Sequence, residues 1–210
     1  MADMRNRRNV LVGAPDVTAS GGILIGPVAT KSEHFPSSAT EELSTELKMV
    51  PAGYISEDGV SKTVDRSTEK IKDWNGDTIL ITQSDHSVTL TLTFMEAANA
   101  DVLKIIAGED NVTVEEGDTI KVIDNADELP HRSIAFEIKG GRGSKIRVFA
   151  PDVQCTSVGD VSYVRADVIK YEATLECFDV DNKKLISLIK RADEKATTAG
   201  VGRSEGLSEG

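Results

Sequence analysis

Aromatic residues are scarce in this 210-residue chain, at 4%, and apolar residues of all kinds reach only 39%. A core assembled from so little must rely on Ile, Val and Leu, and its thinness predicts that neighbouring molecules share in the burial. Cysteine is rare too. Cys155 and Cys177 are the two in the chain, too few for a disulfide scaffold at this length. Cys177 falls on the apolar side of an alternating run, which predicts a buried, reduced thiol. Neither cysteine has a second Cys or a His at zinc-ligand spacing. No apolar run approaches membrane-spanning length. The cationic group Arg5, Arg7 and Arg8 precedes an apolar stretch too short for a signal-peptide core, so the expectation is a chain that is not sent out of the cell.

Positive charge is the next deficit: 24 Lys and Arg stand against 35 Asp and Glu, a formal charge of −11. A surface so acidic excludes a protein that grips nucleic acid through its phosphates, although it can lie beside DNA without holding it. Pro-rich and Ser-rich linkers are missing from the middle of the chain, which predicts one domain with loose ends. We place an N-terminal arm over 1–9, a folded body over 10–195 and a flexible tail over 196–210. That tail is rich in Gly, Ser and Glu and buries too little apolar surface to offset its ordering entropy.

What is present is alternation. From Ser87 to Phe94, Val88, Leu90, Leu92 and Phe94 alternate with Thr89, Thr91 and Thr93, the period of a half-buried strand. Burying those four side chains contributes about 6 to 12 kcal/mol, while ordering eight backbone residues costs about 8 to 16, so the strand must belong to a larger sheet. Ile134, Phe136 and Ile138, then Ile146 and Val148, flank Gly140 to Ser144, which predicts a hairpin with a glycine-rich turn. Ile169, Tyr171, Ala173, Leu175 and Cys177 alternate likewise. Shorter strands are expected at Val10 to Val12, Ile23 to Ile25 and Thr78 to Thr82, and at Val112 to Val114 and Ile120 to Ile123, joined through Glu116, Gly117 and Asp118. One helix is predicted between about Met95 and Ala107, ended by Gly108. Lys183 to Lys195 reads equally as a helix or, after a turn at Asp181 and Asn182, as a last strand. Ala29 to Met49 and Ser56 to Asp77 carry little core pattern.

Chemistry is harder to find. Ser84, Asp85, His86 and Ser87 are hydrolase-type residues, but neighbours along a strand point in different directions, and no nucleophile elbow accompanies them. They read as a polar turn, with catalysis by His86 the remote alternative. His34 and His131 lack metal-ligand spacing and are expected in loops beside prolines. Asp179, Asp181 and Asn182 resemble the start of a calcium loop without its glycine and distal glutamate, so a turn is expected. The glycines at 140–143 are no phosphate loop, since no Gly-Lys-Ser/Thr follows. Asn111, Val112 and Thr113 match a glycosylation sequon of the kind that arises by chance. Glu109, Asp110, Glu115, Glu116, Asp118, Asp124, Asp127 and Glu128, relieved by Lys121 alone, form an acidic cluster. We therefore assign no catalytic, cofactor-binding or metal residues and expect no enzyme.

Three stretches carry a family likeness. Ala52 to Val60, then Lys70 to Trp74 with Asn75, Gly76 and Asp77, then the Thr/Leu strand with the helix over 99–108, resemble the major tail proteins of long-tailed, non-contractile bacteriophages, particularly those of actinobacteria. The likeness runs from about residue 20 to residue 180. It implies a mainly β fold: two packed antiparallel sheets, sandwich-like or barrel-like, flanked by one α-helix, with long loops and extended termini. It also implies a homo-oligomer, in which hexameric rings joined edge to edge around a pore stack into the tail tube and conduct DNA into the host without specific binding. The implied partners are a tape-measure protein, a tail terminator and distal tail or baseplate proteins, and the implied location is the virion tail, assembled in the host cytoplasm. The poorly patterned segments and termini would be arms that order on stacking. No appended immunoglobulin-like domain is expected. An alternative of another class is a β-sandwich binding module, such as a capsid decoration or adhesion protein.

Overall fold

The computed structural model describes residue 6 and residues 9–16 and 22–192. The expected tail over 196–210 and nearly all of the arm over 1–9 lie outside the described residues. The strands are β1 (Ala14–Pro15), β2 (Ile23–Pro27), β3 (Val50–Pro51), β4 (Ile55–Lys72), β5 (Thr78–Phe94), β6 (Val112–Glu115), β7 (Thr119–Val122), β8 (His131–Gly141), β9 (Ser144–Val158), β10 (Tyr171–Cys177) and β11 (Ile186–Lys190), with helix α1 (Ala100–Ala107) between β5 and β6. Nine strands form one antiparallel sheet in the order β3-β2-β8-β9-β10-β5-β4, with β1 also on β8 and β11 also on β9, while β6 and β7 form a separate two-stranded sheet. The fold is mainly β, with two sheets and one α-helix among the described residues and no closed barrel.

The large sheet supplies both layers of its own core. Strands β2 and β5 are four steps apart along it, about 19 Å if the sheet were flat. Yet Ile23 and Ile25 of β2 and Ile134 and Phe136 of β8 share one cluster with Val88, Leu90, Leu92 and Phe94 of β5 and Ala173, Leu175 and Cys177 of β10. The sheet therefore folds over on itself, and β9 is where it turns. Its first part, Lys145 to Phe149, pairs with β11, while Val153 to Val158 pairs with β10. Buried Pro151, which has no N–H to give to a ladder, lies at the change of partner. The β8–β9 register also shifts there, between Arg132 and Ile134, the local kink of a bulge.

The alternating strands lie where periodicity places them, and Thr78 to Thr82 and Ser87 to Phe94 merge into the single strand β5. The β8–β9 turn is a two-residue connection with Arg142 and Gly143 both at positive φ (51° and 77°), which is why glycine is needed there. Helix α1 is shorter than expected at its start. The Asn99 side chain accepts from the amides of Asp101 and Val102 and caps the helix, while the amide of Met95 donates to the carbonyl of Tyr54, extending the sheet. Val10 to Val12 form no strand; pairing falls instead at Ala14 and Pro15, against Lys139 and Ile138. Lys183 to Lys195 resolves in favour of the strand, β11, entered through a turn with Asp181 and Asn182 at positive φ; residues 193–195 lie outside the described residues.

Two expectations about loops need correction. The 29–49 segment is no free arm: Ala29 and Leu47, with Phe35, Leu43 and Met49 beside them, pack on Ala135 and Phe149 on the outer face of β8 and β9. Its elements are two 3-10 turns, Ser32–His34 and Thr45–Leu47, too short to show an amphipathic period. Ser56 to Asp77 is likewise no loop but most of β4 and the turn after it. It hides from periodicity because neither of its faces is buried beyond Val60.

Candidate assembly surface

Beyond the core, β4 and β5 continue as a free two-stranded hairpin. They stay paired from Ser67 opposite Asp85 out to Lys72 opposite Thr78, six residues or roughly 20 Å to the turn. From Ser61 to Asp85 no residue is buried. The turn is held by backbone bonds from Asp73 N to Asp77 O (2.9 Å) and from Gly76 N to Asp73 O (3.1 Å), and by the Asp73 carboxylate accepting from the amide of Asp77 at 2.8 Å. Gly76 takes a φ of 89°, a conformation that suits glycine.

The tip of this hairpin is apolar on both faces. Ile71 lies opposite Leu80, so the two share one face, and Ile79 and Ile81 of β5 point to the other. All four are exposed, and Trp74, the single tryptophan, is fully exposed at the turn. A bare two-stranded ribbon is marginal in water, and a contiguous apolar tip is a contact surface in waiting. The outer edge of β4 adds a long row of unpaired backbone groups. Charged residues Lys62, Asp65, Arg66, Glu69, Lys70 and Lys72 along it discourage indiscriminate pairing.

The residues weighed for chemistry are scattered. Ser84 to Ser87 form no turn: they lie within β5, with Asp85, His86 and Ser87 paired to Ser67, Arg66 and Asp65 of β4. The Asp85 carboxylate accepts from the backbone amide of His86 at 2.7 Å, a contact between chain neighbours that joins no nucleophile to a base. His34 lies in the first 3-10 turn, 3.5 Å from Glu33. His131 is a strand residue rather than a loop residue: its Nδ1 is 2.7 Å from Asp152 Oδ1 and its ring packs on Phe178. Asp179 accepts from the amide of Asn182, the expected turn. Asn111 of the sequon is buried, its amide exchanging two 2.9 Å hydrogen bonds with that of Asn125, so no glycan reaches it in the folded chain. Among the described residues no three His, Cys, Asp or Glu side chains converge as metal ligands.

Both cysteines are free and buried. Burial pushes the Cys155 thiol up against the opposing hydrogen bond to the Ser157 carbonyl. The same cause, reinforced by Glu176, pushes Cys177 up to about 12. A thiol so held is protonated and inert at neutral pH.

What sequence reasoning missed is the hairpin tip. The available signal was Asn75-Gly76 between Trp74 and the Ile79-Leu80-Ile81 run, a turn dipeptide flanked by apolar residues.

The family described as phage tail tube protein matches residues 12–200. No curated protein matches the chain. Among solved structures, the tube-terminating cap of the anti-feeding prophage is 12% identical and covers 91% of this chain and 100% of its own, with a TM-score of 0.41. The sheath/tube terminator of the PVC extracellular contractile injection system is also 12% identical, covering 79% and 92%, with a TM-score of 0.39. The extended sheath-tube complex of that system reaches 14% identity, 80% and 88% coverage and a TM-score of 0.36. With nearly the whole length matched, the chain belongs to the phage tail tube protein family, a family of structural tail components.

Proposed function

We propose that this chain is the tail tube subunit of a long-tailed, non-contractile phage of the kind that infects actinobacteria. Copies join into hexameric rings, the rings stack into a tube around a tape-measure protein, and the tube conducts DNA into the host. The tail terminator and the distal tail or baseplate proteins close its two ends. Assembly takes place in the host cytoplasm, and the finished protein resides in the virion. The 1–9 arm and the 196–210 tail are assigned to contacts between rings.

The observation that carries this reading is the β4–β5 hairpin. A ribbon with Trp74, Ile71, Ile79 and Ile81 all exposed gains its stability from a neighbouring molecule, and a self-assembling tube supplies one at every subunit. The net charge of −11 suits a conduit, because phosphates find little to hold.

Electron microscopy of the concentrated protein tests the proposal. Wild-type protein is expected to form rings or tubes, and Trp74→Asp to stay folded and unassembled. A wild-type protein that stays monomeric when concentrated and is missing from virion tails would overturn the reading. Binding as a monomer or trimer to finished capsids would favour a decoration protein.

A further inference from the structure

Resting on the tube-subunit reading, a second pair of surfaces specifies how copies meet. At the base of the long hairpin lies a cleft walled by Lys62, Arg66, Lys183 and Lys184, with Asp179 the carboxylate in its lining and Val64 and Leu185 as apolar floor. This is a local cationic surface on a chain of net charge −11. Lys183 is engaged by Asp181 at 3.4 Å, and Lys184 donates to the carbonyl of His86 at 2.6 Å, which leaves its charge uncompensated. Lys62 has no carboxylate within ion-pair distance among the described residues, and Arg66 bonds only the neutral amide of Gln83.

The β6–β7 hairpin has the opposite character. It stands apart from the large sheet and is pinned at its base, where the Asn111 and Asn125 amides exchange hydrogen bonds and the amide of Ile123 donates to the carbonyl of Asn111. Arg132 holds Glu109 nearby. Its far end is free: Glu115, Glu116 and Asp118 make no ion pair among the described residues and all three are exposed. The ladder puts Val114 opposite Ile120 and Val112 opposite Val122, so one face is apolar, buried at Val112 and exposed at Val114 and Val122. An acidic wedge with an apolar face matches a cationic cleft with an apolar floor, in sign and in layout.

We infer that the tip of the β6–β7 hairpin, Glu115 to Asp118, of one copy docks into the Lys62/Arg66/Lys184 cleft of a second copy of this chain. The two surfaces differ, so the contact is heterologous, the type that propagates from copy to copy as rings or stacks. Like-charged faces of the remaining acidic surface repel one another, and the complementary pair sets the register.

The test is reciprocal charge reversal in the full-length protein, read by sedimentation and electron microscopy, with circular dichroism to certify the fold. Lys62→Glu/Arg66→Glu and Glu115→Lys/Glu116→Lys are each expected to keep the wild-type spectrum and to lower the assembled fraction about tenfold. All four changes in one chain are expected to restore assembly. Normal assembly by either double variant overturns the inference while leaving the tube reading intact. Loss of assembly that the fourfold variant does not repair also overturns it, by showing that the cleft takes another occupant. If the Lys62/Arg66 variant assembles normally but loses retention on a heparin or DNA column, the cleft is a polyanion site and the inference is wrong. A monomeric wild type removes both the inference and the tube reading.

Discussion

Arg147 and Glu137, cross-strand partners on β9 and β8, form an ion pair buried on both sides, with Arg147 Nε 2.5 Å from Glu137 Oε1. The same guanidinium donates from Nη1 to the carbonyl of Ser38 at 2.9 Å. It therefore ties the 29–49 segment to the outer face of the sheet. A buried charge pair adds little over apolar packing, but removing one partner leaves the other desolvated and alone.

Arg147→Met is accordingly expected to lower stability by about 3 to 5 kcal/mol. Arg147→Met combined with Glu137→Leu should recover most of that loss. Chemical denaturation of both variants, with limited proteolysis inside 29–49, checks this. Equal stability of the single and double variants would show that the pair's burial is not what holds the segment.

Gly53 sits at a φ of 79°, and a Cβ built on it would run into the Glu96 carboxylate. That carboxylate is in use, accepting from the amide of Tyr54 at 3.1 Å and from the Asn99 side chain at 2.9 Å. Gly53→Ala should therefore strain the backbone and disturb the entry to α1 together, a loss of about 1 to 3 kcal/mol. Gly59→Ala, also at positive φ but facing open space, should lose less. Thermal melts of the two variants provide the comparison.

Leu92 is 2% exposed in the core-facing C-terminal half of β5. Leu92→Asp places an unpaired carboxylate in the main core and is expected to abolish folding at neutral pH, a loss beyond about 4 kcal/mol. A cooperative wild-type melt in that variant would refute the assignment of this face to the core.

Cys177 makes stability depend on pH at the alkaline end. Its folded-state value of about 12 exceeds that of an ordinary thiol, near about 8.5, so the unfolded chain loses its proton first. The stabilisation is complete below the ordinary value and is lost as pH rises toward 12. Cys177→Ala should flatten the fall in unfolding midpoint between about pH 8.5 and 11. In the wild type, a thiolate-specific reagent should label Cys177 at pH 8 only after denaturant is added.

Periodicity was a faithful guide wherever one face of a strand is buried and the other is not. Val88 to Phe94 and Ala173 to Cys177 are legible because burial there alternates residue by residue. It failed in two opposite settings. In β4 beyond Val60 neither face is buried, so Ser61 to Lys72 shows no alternation although it is fully paired. In β8 both faces are buried, with Ser133, Ala135 and Glu137 on the outer side under the 29–49 segment, so Ile134 and Phe136 reveal only half of its packing. The assembly surface suffered from the first problem, since the apolar tip residues meet nothing within their own chain.

The runs of alternating Val, Leu and Ile by themselves determined that this chain is β-rich, and the scarcity of aromatics that its core is aliphatic, because composition and local period act before any long-range contact forms. Only the tertiary structure decided that the large sheet turns at Pro151 to pack on itself and that 29–49 covers its outer face. It likewise decided that Trp74 stands at the end of a free ribbon. Those features depend on which strands meet across the chain, and no local pattern of residues records that.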